Sequence, residues 1–128
     1  VSHSTFGQPV TSRTKHIKKA VDILKEKYVD FEFDGDMQPD VALNKDYKSL
    51  YPFSKIVGNA NILIMPGQHS AAISYKMMKE LGDTKVIGPL LIGLGLPIEI
   101  APLRTSTSEL INLASIAAYS ADVIDYNK

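Results

Sequence analysis

Apolar and polar positions follow two different rhythms along this 128-residue chain. Ile17, Val21, Leu24 and Tyr28 recur at helical spacing behind Thr11 and Ser12, either of which can cap a helix, so a helix is expected from there to about Tyr28. Ile73, Met77 and Leu81 repeat that spacing over a segment expected from about Ser70 to Leu81, with Gly82 placed to end it as a left-handed cap. Leu110, Leu113, Ala114, Ala117, Ala121 and Ile124 mark a last helix, and Ser106-Thr-Ser-Glu109 reads as the capping box that opens it. Between the helices lie short apolar runs over residues 61–65, 85–92 and 98–101, and an alternating Phe31-Glu-Phe33. Such runs suit strands, and the longer ones suit strands buried on both faces, as in parallel sheets. The pattern predicts an α/β fold, a layered and mostly parallel sheet flanked by helices. Residues 45–58, with Pro52 and no clear period, read as an irregular connection.

Composition narrows the picture. At 45% hydrophobic, the chain is long enough for a single domain with its own core. Fourteen basic residues balance 14 acidic ones, so no global field draws nucleic acid or an anionic membrane, and neither partner is expected. No apolar run approaches the roughly 20 residues of a spanning helix. Without cysteine there is no disulfide framework, thiol nucleophile or cysteine-ligated zinc, and the chain opens on no signal-peptide pattern; a cytoplasmic setting is expected. Val1 stands where an initiator methionine would, so the chain reads as an excised fragment, whose uncovered apolar patches would favour self-association.

Candidate chemistry concentrates in Arg104-Thr-Ser-Thr-Ser108, which sets a cation and several hydroxyls at the amide end of a helix following a strand. Anions favour such places, because unpaired N–H groups and the positive dipole end face the ligand, although the same side chains can simply cap the helix. Lys15, Lys18, Lys19, Lys25 and Lys27 give the first helix a basic surface, read either as a solvated face or as a site for a phosphate-bearing tail. Asp34, Asp36, Gln38 and Asp40 invite an acid–base or magnesium reading, yet Gly35 and Pro39 make a turn equally natural. His3, His16 and His69 show no metal-ligand spacing, so no metal is assigned. Gly93-Leu-Gly95 lacks the third glycine of a dinucleotide fingerprint, and the esterase pattern Gly-x-Ser-x-Gly is missing.

The wording of several segments resembles a known family. Asn61-Ile-Leu-Ile-Met-Pro66, Ile73-Ser-Tyr-Lys76, Glu80-Leu-Gly82 and Val86-Ile-Gly-Pro-Leu-Leu-Ile-Gly-Leu94 resemble the last part of phosphate acetyltransferases (phosphotransacetylases), and Asp34-Gly-Asp-Met-Gln-Pro-Asp-Val-Ala-Leu43 fits in the same order. The likeness is nearest to the phosphotransacetylase-like domain that ends the long bacterial NADP-type malic enzymes, and covers roughly the final third of such a domain. It implies a fold like that of isocitrate and isopropylmalate dehydrogenases. It also implies a ligand cleft lined by the segment of Asp34 and Gln38, both weak contact candidates, and by Thr105, Ser106 and Thr107. His69 falls where the family has a polar residue and is a further candidate contact to a ligand phosphate.

This sequence departs from the family's catalytic pattern. Leu103 stands where the family's charge-stabilising arginine belongs and Arg104 where its glycine belongs, with Glu109 at the acidic position that assists the CoA thiol. Gly67 and Ala72 replace two polar residues of the catalytic relatives. Acyl transfer depends on accurate placement of charge, so a displaced guanidinium weakens it. The resemblance therefore implies an acetyl-CoA-responsive regulatory domain of a malic enzyme, binding acetyl-CoA, acetyl phosphate or a related phosphate ligand, with NADP and a divalent metal serving the malate-oxidising part of the parent enzyme. That malic-enzyme domain would be its partner in the same chain, and a homo-oligomer is expected. Two alternatives stay open: an active phosphate acetyltransferase with Arg104 as electrophilic stabiliser and Glu109 as base, and a structural oligomerisation module.

Overall fold

A computed structural model describes residues 1–27, 29–82 and 84–126, without the side chains of Lys48 and residues 124–126. The chain divides into two compact units, Val1–Lys76 and Met77–Lys128.

In the first unit the opening segment turns sharply between Thr5 and Gln8, which exchange backbone hydrogen bonds across an antiparallel bridge. Phe6 (φ 49°) and Gly7 (φ 80°) occupy its centre, the left-handed pair that a type I′ turn requires. Glycine adopts that conformation freely, whereas a bulky Phe6 is held there by its surroundings. Its N–H donates to the Asp36 carbonyl at 2.7 Å, and its ring lies edge-on to Phe53, centroids 4.8 Å apart, and 5.6 Å from Tyr51. The core beneath is small: Met37, Val41 and Ala42 are buried, with Phe6, Tyr51, Ile56, Ala60 and Leu63 packed against them.

Helix α1 runs Ser12–Glu26 and is fixed at its start by Thr11. The Thr14 amide donates to the Thr11 hydroxyl and the Thr11 amide to the Thr14 hydroxyl, two otherwise orphaned donors satisfied reciprocally. The expected apolar face is present, with Val21 buried and Ile17 and Leu24 half-buried; Tyr28 lies outside the described residues. Two short helices were not legible in advance. Pro39 opens α2 (Pro39–Leu43), where its fixed φ suits a first turn, and the Asn44 side chain accepts from the Asp46 amide to cap α3 (Lys45–Lys48), so the expected irregular connection begins as a helical turn.

Helix α4 spans Gln68–Leu81, beginning ahead of the expected Ser70, and the unit boundary falls within it. It stops at Gly82 as expected, but Gly82 is not left-handed. The glycine is required by space instead: a Cβ there would meet the Met78 carbonyl oxygen at 2.9 Å. That carbonyl accepts from the Gly82 amide at 3.0 Å and the Thr84 hydroxyl at 3.2 Å, so Thr84 does the capping that a left-handed residue would otherwise do. In the second unit α5 spans Thr107–Tyr126; Leu113 is buried, Ala117 and Ala121 are half-buried, and the Ile124 side chain lies outside the described residues.

The expected strands require correction. Among the described residues no strand ladder forms; segments 31–33, 61–65, 85–92 and 98–101 are extended or irregular backbone. The physical reason is pairing. A parallel strand places its amides and carbonyls on neighbours brought in by crossover connections, and these segments do not pair with one another. Alternation survives nonetheless: Leu63 and Met65 turn inward while Ile62 and Ile64 remain 73% and 75% exposed. The stripe of α4 is likewise uncovered, with Ile73, Met77 and Leu81 all exposed. No helix among the described residues is long and apolar enough to cross a membrane.

Candidate functional site

The start of α5 gathers five of the candidate residues. A turn over residues 102–105 closes through the Thr105 amide, 3.0 Å from the Pro102 carbonyl, with the Thr105 hydroxyl donating to the same oxygen at 2.5 Å. Leu103 and Arg104 form its exposed tip, and among the described residues Arg104 has no ion-pair partner. Ser106 then caps the helix. Its hydroxyl accepts from the Glu109 amide at 3.3 Å, and Glu109 Oε2 accepts from the Ser106 amide at 2.7 Å and its hydroxyl at 2.8 Å, the reciprocal box that the sequence announced. The amides of Thr107 and Ser108 lead the helix, where no preceding turn supplies an acceptor.

Glu109 is drawn into a second bond. Lys79, near the end of α4, donates to Oε1 at 2.7 Å, so both carboxylate oxygens are engaged. The Lys79 hydrogen bond above all, followed by those from Ser106, holds the carboxyl well below its ordinary 4.5, at about 2. At neutral pH it is an ion-paired anion with little tendency to take a proton. Lys79 also compensates Glu109, which leaves the charge of Arg104 and the leading amides to face an incoming anion.

Asp34, Gln38 and His69 belong to the first unit. Asp34 Oδ1 accepts from the Gly35 amide and Oδ2 from the Lys55 amide at 2.8 Å, and the Gln38 side-chain amide donates to the His3 carbonyl at 3.0 Å. Both side chains therefore hold loops in place. His69 is exposed on the first turn of α4. Asp36, which invited a magnesium reading, is 3% exposed and structural: it accepts from the Ser4 hydroxyl and from the Gly7 amide at 2.9 Å. Among the described residues no three carboxylates and histidines gather as a metal site.

The first unit also contains a groove of about 530 Å³ that sequence reasoning reached only in part. One wall is the Lys15, Lys18, Val21 face of α1, and the opposite side is the Asp34-Gly-Asp36 turn with Phe6 and Phe53. The basic helix surface was the one available signal; nothing in the spacing announced that Phe53 and Lys55 return to it.

Residues 1–118 match the family described as Phosphate acetyl/butaryl transferase. The chain is 50% identical over 121 residues to the NADP-dependent malic enzyme of Rhizobium meliloti (strain 1021), covering 94% of this chain and 16% of that protein. It is 31% identical over 122 residues to the phosphate acetyltransferase of Clostridium acetobutylicum, covering 94% of this chain and 37% of that protein. The EutD phosphotransacetylase from Staphylococcus aureus superposes with a TM-score of 0.81 at 28% identity, over 94% of this chain and 38% of that structure. The chain thus spans about a sixth of the malic-enzyme relative and under two fifths of the acetyltransferases.

Proposed function

The chain belongs to the phosphate acetyl/butaryl transferase family, and from that membership we propose that it is a regulatory part of a malic enzyme, holding acetyl-CoA or a related phosphate ligand at residues 104–109 without transferring the acetyl group. On this reading the extended segments become strands of a parallel sheet in an isocitrate/isopropylmalate dehydrogenase-like fold, completed by the remainder of a cytoplasmic, oligomeric protein. The malate-oxidising part carries NADP and a divalent metal.

The observation that carries the proposal is the commitment of Glu109. A general base works best when its pKa lies near the operating pH, and a carboxyl at about 2 with both oxygens occupied is far from that condition. The anion-attracting parts of the site, Arg104 and the amides of Thr107 and Ser108, do not depend on Glu109 changing protonation. What remains supports binding more than chemistry.

The test is the rate of malate oxidation by the full-length protein as acetyl-CoA is varied. A change in rate or in malate KM that disappears in Arg104→Ala is expected; couplings between sites of this kind amount to about 1 to 3 kcal/mol. Acetyl-CoA without effect on either parameter refutes the regulatory role. The exposed Ile62, Ile64, Ile92 and Leu96 favour a second reading, a structural oligomerisation module, for which removing this segment dissociates the assembly while acetyl-CoA produces no binding heat.

A further inference from the structure

We propose that Lys79 is a positioning residue for the segment 104–109: by clamping Glu109 it cancels the negative charge that the capping box sets beside the leading amides of α5, so that ligand affinity there depends on a lysine of α4. The inference rests on the reading of residues 104–109 as an anion-holding site and adds to it a residue outside that segment.

The capping box itself creates the need. Glu109 reaches back over the first turn of α5, and its Oε2 accepts from the Ser106 amide at 2.7 Å and the Ser106 hydroxyl at 2.8 Å. The bonds that start the helix therefore hold a carboxylate next to the Thr107 and Ser108 amides. An uncompensated carboxylate in that place opposes any incoming anion, since like charges a few ångströms apart repel even across water. Lys79 answers it from a distant part of the sequence. Its ammonium donates to Glu109 Oε1 at 2.7 Å across a separation of 30 positions.

The lysine is delivered by a fixed backbone. It lies in the last turn of α4, directly after Met78, whose carbonyl accepts from the Gly82 amide at 3.0 Å and the Thr84 hydroxyl at 3.2 Å. Both members of the pair belong to the second unit. Their side chains are 44% and 28% exposed, so the effect is a partly screened one that salt weakens. Arg104 plays a different part. It sits on the exposed tip of its turn without an ion-pair partner among the described residues, and so is open to a ligand directly, whereas Lys79 acts through Glu109.

The experiment is calorimetric titration of the full-length protein with acetyl-CoA at low ionic strength. Lys79→Gln leaves Glu109 charged and is expected to weaken binding about fivefold, a loss that shrinks at high salt. Lys79→Arg is expected to keep the affinity, and Lys79→Gln/Glu109→Gln to return it to within about twofold of wild type, because the opposing charge is gone. A lysine with a purely structural role gives the reverse: the double variant also loses the capping carboxylate and binds no better than Lys79→Gln. Lys79→Gln binding as tightly as wild type, or a double variant as weak as Lys79→Gln, overturns the inference, and a loss in Arg104→Ala in the same series leaves the reading of the site standing. Wild type without acetyl-CoA heat, or Arg104→Ala binding as wild type does, overturns that reading and the inference with it.

Discussion

Glu109 is where the chemistry of a single side chain decides most. Its folded-state value of about 2 lies below the ordinary 4.5, so the stabilisation it contributes is fully present above pH 4.5 and is lost as pH falls toward 2 and protons displace Lys79 and Ser106. Thermal melting of wild type should therefore decline more steeply between pH 4.5 and 2 than that of Glu109→Gln, which holds no carboxylate there. Parallel curves would contradict the assignment. Asp36 is the corresponding residue in the first unit. Asp36→Ala leaves the Ser4 hydroxyl and the Gly7 amide without their acceptor inside a buried site, and urea denaturation should record a loss of about 1.5 to 3 kcal/mol. From the sequence, Asp36 reads as an acid–base or magnesium candidate or as part of a turn. Its partners lie 32 and 29 positions away, and no local pattern encodes a pairing over that distance.

Helices and their ends follow from nearest-neighbour physics, and here sequence and structure agree best. Thr11→Ala removes the reciprocal hydroxyl that anchors α1 and should lower stability by about 1 kcal/mol in the same denaturation experiment. Gly82→Ala forces a methyl against the Met78 carbonyl and should lower stability by about 1 kcal/mol or more, seen as a reduced denaturation midpoint with unchanged slope. The spacing of Ile17, Val21 and Leu24, the Ser106–Glu109 box and the stop at Gly82 were all legible because each depends on residues within one or two turns. What escaped was either too short to carry a period, as with α2 and α3, or depends on partners beyond a single segment, as with the extended runs at 61–65 and 85–92. Pro39 and Asn44 were signals of the short helices in plain sight, but four or five residues cannot repeat a helical pattern.

At the scale of the molecule, several of the apolar residues that predicted strands are left in water. Ile62, Ile64 and Ile92 are 73%, 75% and 88% exposed, and the stripe of α4 is exposed as well. Such a surface is unusual for an isolated soluble chain, so sedimentation of this chain alone should show association that rises with concentration. A single monomeric species across a hundredfold dilution would speak against it. The division of labour proposed here, ligand held at residues 104–109 with the acid beside it immobilised, places binding and catalysis in opposition. The decisive measurement is the rate of acetyl phosphate formation from acetyl-CoA and inorganic phosphate by the full-length protein, with Arg104→Ala as reference. No rate above that of the Arg104→Ala protein is expected; robust turnover in wild type that vanishes with this substitution would overturn the regulatory reading.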